Sequence, residues 1–413
     1  MAPVGGGAAD LPPDSTCYTP AAEPRCGPGR TPSDPDRGCG KTGVLMRRGR
    51  LRLEDGSVFE GTGFGANEPV AGEVVFNTGM VGYPESLTDP SYAGQILVLT
   101  YPLVGNYGVP PYGIDDAGLP VGFESEKIQA AGLIVWENSE RYSHHLASRS
   151  LHDWLAGEDI PGLAAVDTRA LTKKLREKGT MLGAIEPDGL TERVSLVDPN
   201  ATDLVATVSV DDVLHYRCGQ PDAPKVVLLD CGCKTSIIRS MLDRGLDVIR
   251  VPHDHYFPGM AFDGLLISNG PGNPRMCSVA IRNIERALAL DVPILGICLG
   301  NQLLALAAGA ETFKLPFGHR SQNQPCIEML PSGERGTRCV ITSQNHGFAV
   351  RADSLPPDWR LWFLNANDDT VEGIRHVSKP IRSVQFHPEA NPGPVDSAWI
   401  FDDFASVMKG RNA

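Results

Sequence analysis

Residues 293–302 read Pro-Ile-Leu-Gly-Ile-Cys-Leu-Gly-Asn-Gln, and this stretch decides the fold of the second half of the chain. The aliphatic run 292–297 is typical of a strand buried in a parallel sheet, and residues 303–308 are rich in leucine and alanine and precede a glycine. Between these runs, Gly296 and Gly300 permit a sharp turn with close backbone approach. The stretch therefore predicts a strand, a nucleophile elbow centred on Cys298, and a helix.

The chemistry of Cys298 follows from its predicted place at the N-terminus of a helix. The partial positive charge there favours the thiolate, which is the nucleophilic form of cysteine. We therefore predict a reactive thiol. This segment alone leaves one alternative open, a small buried residue at the end of a strand.

A second pattern lies late in the chain, where residues 384–389 read Val-Gln-Phe-His-Pro-Glu. His387 and Glu389 are two residues apart, so in extended backbone both side chains project from one face. A thiol nucleophile, an imidazole base and a carboxylate that orients the base are the three parts of an acyl-transfer triad. Taken with the elbow, this pattern predicts that Cys298, His387 and Glu389 are catalytic.

These motifs resemble those of the class I glutamine amidotransferases, and residues 268–272, Ser-Asn-Gly-Pro-Gly, resemble the oxyanion loop of that family. Residues 72–85 read Gly-Glu-Val-Val-Phe-Asn-Thr-Gly-Met-Val-Gly-Tyr-Pro-Glu, and residues 87–92 read Leu-Thr-Asp-Pro-Ser-Tyr. Together with residues 101–108, they are similar to the small, glutamine-hydrolysing subunit of carbamoyl-phosphate synthetase. The resemblance covers most of the chain, from about residue 48 to about residue 408.

The resemblance implies hydrolysis of the glutamine side-chain amide through a γ-glutamyl thioester on Cys298. His387 then carries the proton, and Glu389 orients the imidazole. Carried over by motif, the residues that hold the oxyanion or contact glutamine are Ser91, Gly270, Gly272, Leu299, Gln302, Asn345, Gly347 and Phe348. The alternative for residues 343–348 is a polar hairpin, and for Ser91 a turn hydroxyl.

The resemblance also implies a partner. The chain has no phosphate-binding lysine motif and no length for two ATP-using domains, so we expect no cofactor in this chain. In the family, the ammonia passes to a carbamoyl-phosphate synthetase large subunit or domain, which uses ATP, Mg²⁺ and bicarbonate. The sequence leaves open whether the product serves arginine or pyrimidine synthesis, and whether the chain is a separate subunit or part of a fused polypeptide.

Two rival functions remain open at this point. One is a catalytically silent docking or regulatory subunit, which the complete triad disfavours. The other is the glutaminase of a different amidotransferase, or a lone cysteine–histidine hydrolase, which the first-domain motif at residues 83–92 disfavours. A glutaminase assay and identification of the bound partner separate these possibilities.

Composition narrows the function classes further. The 413 residues are 41% hydrophobic, which suffices for two or three domains, and the formal net charge of −13 argues against nucleic-acid binding. No apolar run approaches the roughly 20 residues of a membrane span, so we expect no membrane association and a cytoplasmic location. The ten cysteines lack metal-ligand spacing, because Cys231-Gly232-Cys233 has no second pair, and we expect no metal site.

The chain divides by pattern into four parts, and its overall class is α/β. Residues 1–45 contain sixteen Gly or Pro residues without hydrophobic periodicity and are predicted to be disordered. Residues 46–190 are predicted to form a mixed α+β domain, and residues 191–223 a linker with one short strand. In residues 224–410, strands alternate with helices, which predicts a doubly wound parallel sheet.

Individual elements can also be predicted. In the first domain, residues 51–64 predict a hairpin around Glu-Asp-Gly, and residues 148–156 and 168–178 predict helices. In the second domain, residues 235–244 and 279–290 predict helices between short apolar strands.

Two positions depart from the family pattern. Asn301 occupies a place usually held by histidine, and Ser321 a place usually held by glycine. If Ser321 had to adopt a positive φ, strain of about 1 kcal/mol would follow. Because all three triad positions are present, we expect these departures to tune the site without abolishing its activity.

Overall fold

A closed barrel of seven strands forms the first part of the computed structural model, which describes residues 47–411. The prediction of disorder for residues 1–45 lies outside these residues. The strands of this half are β1 (Arg48–Leu53), β2 (Val58–Gly65), β3 (Val70–Asn77), β4 (Gln95–Leu99), β5 (Leu103–Val104), β6 (Gly132–Ile134), β7 (Glu137–Asn138), β8 (Pro161–Ala164) and β9 (Met181–Pro187). Its helices are α1 (Tyr83–Thr88), α2 (Leu151–Gly157) and α3 (Thr168–Lys178).

The barrel has the strand order β1-β2-β8-β6-β4-β3-β9 and closes where β9 pairs with β1. The predicted hairpin is confirmed as β1 and β2, which pair antiparallel. Within β1, Leu51 and Leu53 are buried in the barrel core. Arg50 and Arg52, which alternate with these leucines along the strand, each donate a hydrogen bond of 3.0 Å to Glu186 on β9. Period-two alternation thus separates the core from the ion pairs.

Side-chain caps set the helix starts in this half. Helix α3 has the predicted bounds, because the side chain of Asp167 accepts a hydrogen bond from the Ala170 backbone N–H. Helix α2 begins three residues later than the predicted start at residue 148. The reason is that Ser150, and not an earlier residue, caps it by accepting from the Asp153 backbone N–H.

The second part is built on one sheet of ten strands. Its strands are β10 (Leu214–Tyr216), β11 (Lys225–Asp230), β12 (Asp247–Pro252), β13 (Gly264–Ile267), β14 (Ile294–Ile297), β15 (Thr312–Met329), β16 (Arg335–Val350), β17 (Trp359–Asn365), β18 (Val371–His376) and β19 (Ile381–Val384). Its helices are α4 (Val205–Val208), α5 (Thr235–Leu242), α6 (Ser278–Ala287), α7 (Leu299–Ala307) and α8 (Trp399–Arg411).

The sheet order is β10-β12-β11-β13-β14-β19-β18-β17-β15-β16. Strands β12, β11, β13, β14 and β19 are parallel, as the predicted doubly wound sheet requires. Strands β15 to β18 extend it with antiparallel pairs that the sequence analysis did not predict. Strand β10, within the predicted linker, pairs antiparallel with β12 at the other edge.

Helices cover both faces of this sheet. Ile237 of α5 and Phe401 of α8 belong to one hydrophobic cluster, and Ile284 of α6 and Leu303 of α7 belong to another. Both clusters contain buried residues of the parallel strands, so the sheet is the middle of three layers. Among residues 47–411, no helix combines the length and apolar character that a bilayer crossing requires.

Candidate active site

The turn between β14 and α7 has the geometry of a nucleophile elbow. Cys298 has φ 55° and ψ −104°, a positive-φ conformation that a non-glycine residue adopts only under strain. Its backbone N–H donates to the Val384 carbonyl at 2.8 Å, which fixes the turn to β19. The side chain is only 2% exposed. A strained, buried cysteine therefore lies at the start of a helix, as the elbow motif predicts.

The two glycines of the elbow are required by close packing. A Cβ atom on Gly296 would lie 2.6 Å from the Gly300 carbonyl oxygen, and one on Gly300 would lie 2.2 Å from the Ile267 carbonyl oxygen. Neither distance is compatible with a side chain, because the opposing atoms belong to the backbone. The glycines thus let α7 begin directly against the parallel strands.

His387 and Glu389 lie in contact with one another. His387 Nδ1 is 2.6 Å from Glu389 Oε1, and its backbone N–H donates to the Ser343 carbonyl at 2.9 Å. Burial alone disfavours the imidazolium, but the Glu389 carboxylate and the Cys298 sulfur outweigh burial and raise the pKa of His387 to about 10. Among the described residues, His387 Nε2 has no hydrogen-bond partner. The ring is held at one nitrogen and keeps the other for chemistry.

Lys234 is the main residue that the sequence analysis missed. Its Nζ lies 3.0 Å from Glu389 Oε1 and donates to the Ala390 carbonyl at 2.6 Å, and its side chain is 3% exposed. Burial raises the pKa of Glu389, yet Lys234 and His387 together lower it to about 2. The sequence did contain one signal that could have identified Lys234. It follows β11 at the carboxyl edge of the parallel sheet, where ligand sites form.

The predicted oxyanion loop follows β13 and packs against the elbow. A Cβ atom on Gly270 would lie 1.9 Å from the Cys231 carbonyl oxygen, so only glycine fits there. Gly272 has φ 83°, a conformation that glycine adopts without cost. The loop therefore depends on its glycines for its path beside Leu299.

One cavity beside the elbow is lined by nearly all of the predicted site residues. Its wall includes Cys298 and every predicted oxyanion or glutamine contact, which are Ser91, Gly270, Gly272, Leu299, Gln302, Asn345, Gly347 and Phe348. His387 and Glu389 do not line it, and both are buried. Ser91 comes from the barrel half, so the cavity has walls from both parts of the chain.

The barrel and strand β15 together supply a charged wall that the sequence analysis did not predict. Glu73 on β3 lies 2.7 Å from Lys314 Nζ and accepts hydrogen bonds from Thr180 at 3.0 Å and Gln95 at 3.1 Å. Burial raises the pKa of Glu73, but Arg320 and Lys314 lower it below its ordinary value. All five residues line the cavity. This wall offers charges of both signs to a zwitterionic ligand.

A group of five buried polar residues joins the two halves beside the cavity, and we call it the seam cluster: Asp89, Ser91, Lys234, Asn269 and Asn345. The Asn269 side chain donates to Ser91 Oγ at 3.0 Å and accepts from the Lys234 backbone N–H at 3.1 Å. The cluster thus connects the barrel, the oxyanion loop and the lysine that holds Glu389.

The two departures from the family pattern have structural roles. The Asn301 amide donates to Gln385 at 3.0 Å and accepts from Ser383 at 2.8 Å, so it ties α7 to β19 and its end. Ser321 pairs with Gln344 across β15 and β16 and is not among the residues with positive φ. The strain considered for Ser321 therefore does not arise.

His319, His346 and Glu372 form a buried group whose donor atoms lie within 4.8 Å of one another, the spacing of a metal site. Burial disfavours the His319 imidazolium, but Asp368 and Glu372 raise the pKa of His319 to about 9. His319 Nδ1 lies 3.3 Å from Glu372 Oε1, and its Nε2 lies 2.9 Å from Asp368 Oδ2, so the ring links β15 to β18 and to the residues just before β18.

Comparison with known proteins agrees with this geometry. Residues 51–185 match the family described as carbamoyl-phosphate synthase small chain, CPSase domain, and residues 227–407 match glutamine amidotransferase class-I. The carbamoyl phosphate synthase arginine-specific small chain of Emericella nidulans is 46% identical over 375 residues, covering 89% of this chain and 81% of that protein. This chain belongs to the carbamoyl-phosphate synthase small-chain family. The family resemblance inferred from the motifs is thereby confirmed.

Other relatives of this small chain are much longer. The multifunctional protein CAD of Squalus acanthias is 52% identical over 362 residues, covering 87% of this chain and 16% of that protein. Human mitochondrial carbamoyl-phosphate synthase [ammonia] is 47% identical over 373 residues, covering 90% and 24% respectively. The small chain therefore spans less than a quarter of the length of these two relatives.

Proposed function

We propose that this small chain hydrolyses L-glutamine to glutamate and ammonia, and supplies the ammonia to a synthetase partner that makes carbamoyl phosphate from bicarbonate and ATP. The observation that carries the proposal is Cys298, held at φ 55° on the wall of a cavity that also contains the predicted glutamine contacts. The class I amidotransferase domain and the small-chain domain of the family both support it.

In the proposed mechanism, Cys298 Sγ attacks the side-chain carbonyl carbon of glutamine. His387 accepts the thiol proton and gives a proton to the departing ammonia, which leaves a γ-glutamyl thioester. Water then hydrolyses the thioester, with His387 acting as the base. The raised pKa of His387 means that the ring holds a proton at neutral pH when the sulfur is ionised, ready for the leaving group.

Two other groups complete this mechanism. Glu389 orients the imidazole, and the ion pair with Lys234 keeps Glu389 ionised and fixed. Backbone N–H groups of Leu299 and of residues 270–272 would stabilise the oxyanion. In acyl-transfer enzymes the loss of one such donor typically costs about 3 kcal/mol of transition-state stabilisation.

The deciding experiment compares wild-type chain with Cys298→Ala in a glutaminase assay. We expect the variant to lose glutamine hydrolysis, while the complex with the synthetase still makes carbamoyl phosphate from free ammonia. A variant that kept its glutaminase activity would disprove the assignment of the nucleophile. Unaffected ammonia-dependent synthesis is the control for correct folding and assembly.

The same assay tests the rival of a silent docking subunit. One relative carries ammonia in its own name, so loss of glutamine hydrolysis within this family is a concrete alternative. The intact Cys298, His387 and Glu389 of this chain support hydrolysis instead. A wild-type chain without glutaminase activity, both alone and with its synthetase, would favour the silent subunit.

The partner and pathway belong to the same proposal. We propose a carbamoyl-phosphate synthetase large subunit or domain as the partner, with ATP and Mg²⁺ bound there and not in this chain, and with a cytoplasmic location. One relative is named as an arginine-specific small chain, and another is the multifunctional CAD, so the product would serve arginine or pyrimidine synthesis. Co-purification and identification of the bound protein test this part.

We also propose that the partner controls the rate of hydrolysis. Free hydrolysis would waste glutamine, so the isolated chain should be a slow glutaminase that accelerates when the synthetase turns over. The physical route is a small shift of the oxyanion loop or the elbow, because a misplacement of about 1 Å can cost roughly 10²-fold in rate. Equal kcat and KM with and without the bound synthetase would contradict this coupling.

A further inference from the structure

Asp89 lies where three separate segments of the small chain meet. It follows α1 and caps the short turn of 3-10 helix Pro90–Tyr92, where its Oδ1 accepts from the Ser91 backbone N–H at 2.9 Å. The residue is 6% exposed, although a carboxylate is normally found at the surface. Its burial therefore needs polar partners, and the second half of the chain supplies them.

Both oxygens of Asp89 accept hydrogen bonds from the other half. Oδ2 accepts from the side-chain amide of Asn345 at 3.1 Å, and Oδ1 accepts from that of Asn269 at 3.4 Å. Asn345 and Asp89 are 256 residues apart in sequence. A single carboxylate thus fixes β16 and the oxyanion loop relative to the barrel.

The groups that Asp89 holds are those that surround the predicted glutamine. Ser91 and Asn345 line the cavity, and the Asn345 carbonyl oxygen lies 3.6 Å from the Cys298 Sγ. Asn269 directly precedes Gly270 of the oxyanion loop and also donates to Ser91 Oγ at 3.0 Å. Asp89 itself does not line the cavity.

We infer that Asp89 is a positioning residue for glutamine binding, which acts through Ser91, Asn345 and Asn269. This inference rests on the proposed glutaminase function. Since Asp89 contacts no reacting atom, its loss should disorder the binding wall more than the elbow. The signature of this role is a raised KM for glutamine with a smaller change in kcat.

The test uses Asp89→Ala in the full chain, with steady-state glutaminase kinetics. We expect KM to rise by about tenfold or more, as for the loss of hydrogen bonds to a charged group, and kcat to fall by a smaller factor. The matched control is Asp167→Ala, which also removes an aspartate that caps a helix in the barrel half but contacts no cavity residue. Asp89→Ala should lose more stability than Asp167→Ala, because Asp89 is buried and Asp167 is exposed, but both should fold and only Asp89→Ala should change KM.

A double mutant separates positioning from a merely structural role. If Asp89 acts through Asn345, the two single mutations should not have independent effects. The fold-increase in KM of the double mutant Asp89→Ala/Asn345→Ala should then be much smaller than the product of the two single fold-increases. Independent, multiplicative effects would overturn the inference. So would a wild-type KM for Asp89→Ala.

Asp89→Asn keeps the test decisive if Asp89→Ala does not fold. This variant retains one acceptor oxygen, and since Asn269 and Asn345 both present NH₂ groups, only one of them keeps its partner. We expect a folded protein with a KM raised by a smaller factor than in Asp89→Ala. A wild-type KM in Asp89→Asn would overturn the inference, whereas a wild-type chain without any glutaminase activity would instead defeat the proposed function.

Discussion

The elbow and the seam cluster lie beside the same cavity, but they are built in opposite ways. The elbow is contained in residues 296–300, and its shape follows from two glycines and one strained cysteine. The seam cluster brings together residues from both halves of the chain, and hydrogen bonds hold it. The elbow depends on backbone geometry, whereas the seam cluster depends on long-range polar contacts. Variants of each should therefore fail in different ways.

The largest effect is expected from Gly300→Ala, which disrupts the backbone packing of the elbow. Its Cβ atom would meet the Ile267 carbonyl oxygen at 2.2 Å, so α7 must move away from the sheet. We expect the free energy of unfolding to fall by about 3 kcal/mol or more, together with loss of glutaminase activity. Chemical denaturation and the glutaminase assay measure the two effects. Gly157→Ala, at the end of α2 with open space around its Cβ position, is the control and should remain active.

The next effect concerns the proton transfers of the proposed triad. His387→Asn removes the proton carrier and should reduce kcat by several orders of magnitude, whereas Glu389→Gln removes only orientation and charge. We expect the loss in Glu389→Gln to be about a hundredfold smaller. Single-turnover kinetics of thioester formation would measure both. A loss in Glu389→Gln that equals or exceeds the loss in His387→Asn would mean that the two roles are wrongly assigned.

Lys234→Met tests the seam cluster through pH. Removing Lys234 leaves the buried Glu389 without its cation, and we expect the free energy of unfolding to fall by about 3–5 kcal/mol at neutral pH. The pKa of Glu389 is about 2, below its ordinary value of 4.5, so its contribution to stability is present above pH 4.5 and is lost as pH falls toward 2.

Lys234 lowers the pKa of Glu389, so in Lys234→Met this pKa should be higher. The variant should therefore begin to lose stability at a higher pH than the wild type when the solution is acidified. Urea denaturation from pH 7 to pH 4 measures this shift. Lys409→Met, which removes an exposed lysine from α8, is the control and should follow the wild-type pH dependence. An unchanged acid profile in Lys234→Met would show that the lysine does not control Glu389.

The smallest effect is expected from Ser321→Gly, which restores the glycine usual in the family. The serine backbone is not left-handed, so glycine relieves no strain there and adds unfolded-state entropy. Against this, the buried Ser321 hydroxyl has no hydrogen-bond partner among the described residues, and its removal is favourable. We expect a net change in unfolding free energy of less than about 1 kcal/mol. Thermal denaturation that showed a clearly larger stabilisation would reveal strain at this position after all.

The contrast between elbow and seam cluster also explains which features the sequence could predict. The elbow, the oxyanion loop and the parallel strands depend on local patterns of glycine, cysteine and aliphatic residues, and the structure contains them where the patterns lie. Helix α3 has its predicted bounds because its cap and its terminal glycine are adjacent in sequence.

Other features could not be predicted because their partners are remote in sequence. Lys234 pairs with Glu389, and Glu73 pairs with Lys314, only after the barrel and the sheet have assembled. The antiparallel strands β15 to β18 lack regular alternation of polar and apolar residues, because β15 contains the polar run 319–324 and β17 the apolar run 361–364. The oxyanion and glutamine-contact assignments came from family motifs, and their roles stay predictions.

The positive φ of Cys298 has a consequence for which residue evolution retains at position 298. A non-glycine residue in such a conformation costs about 1–3 kcal/mol, so selection for stability alone would favour glycine at position 298. Only a continuing need for the sulfur opposes that drift. In a related protein that no longer needs to hydrolyse glutamine, replacement of this cysteine by glycine would raise the melting temperature. Comparing melting temperatures along such a lineage would therefore show when the need for the sulfur ended.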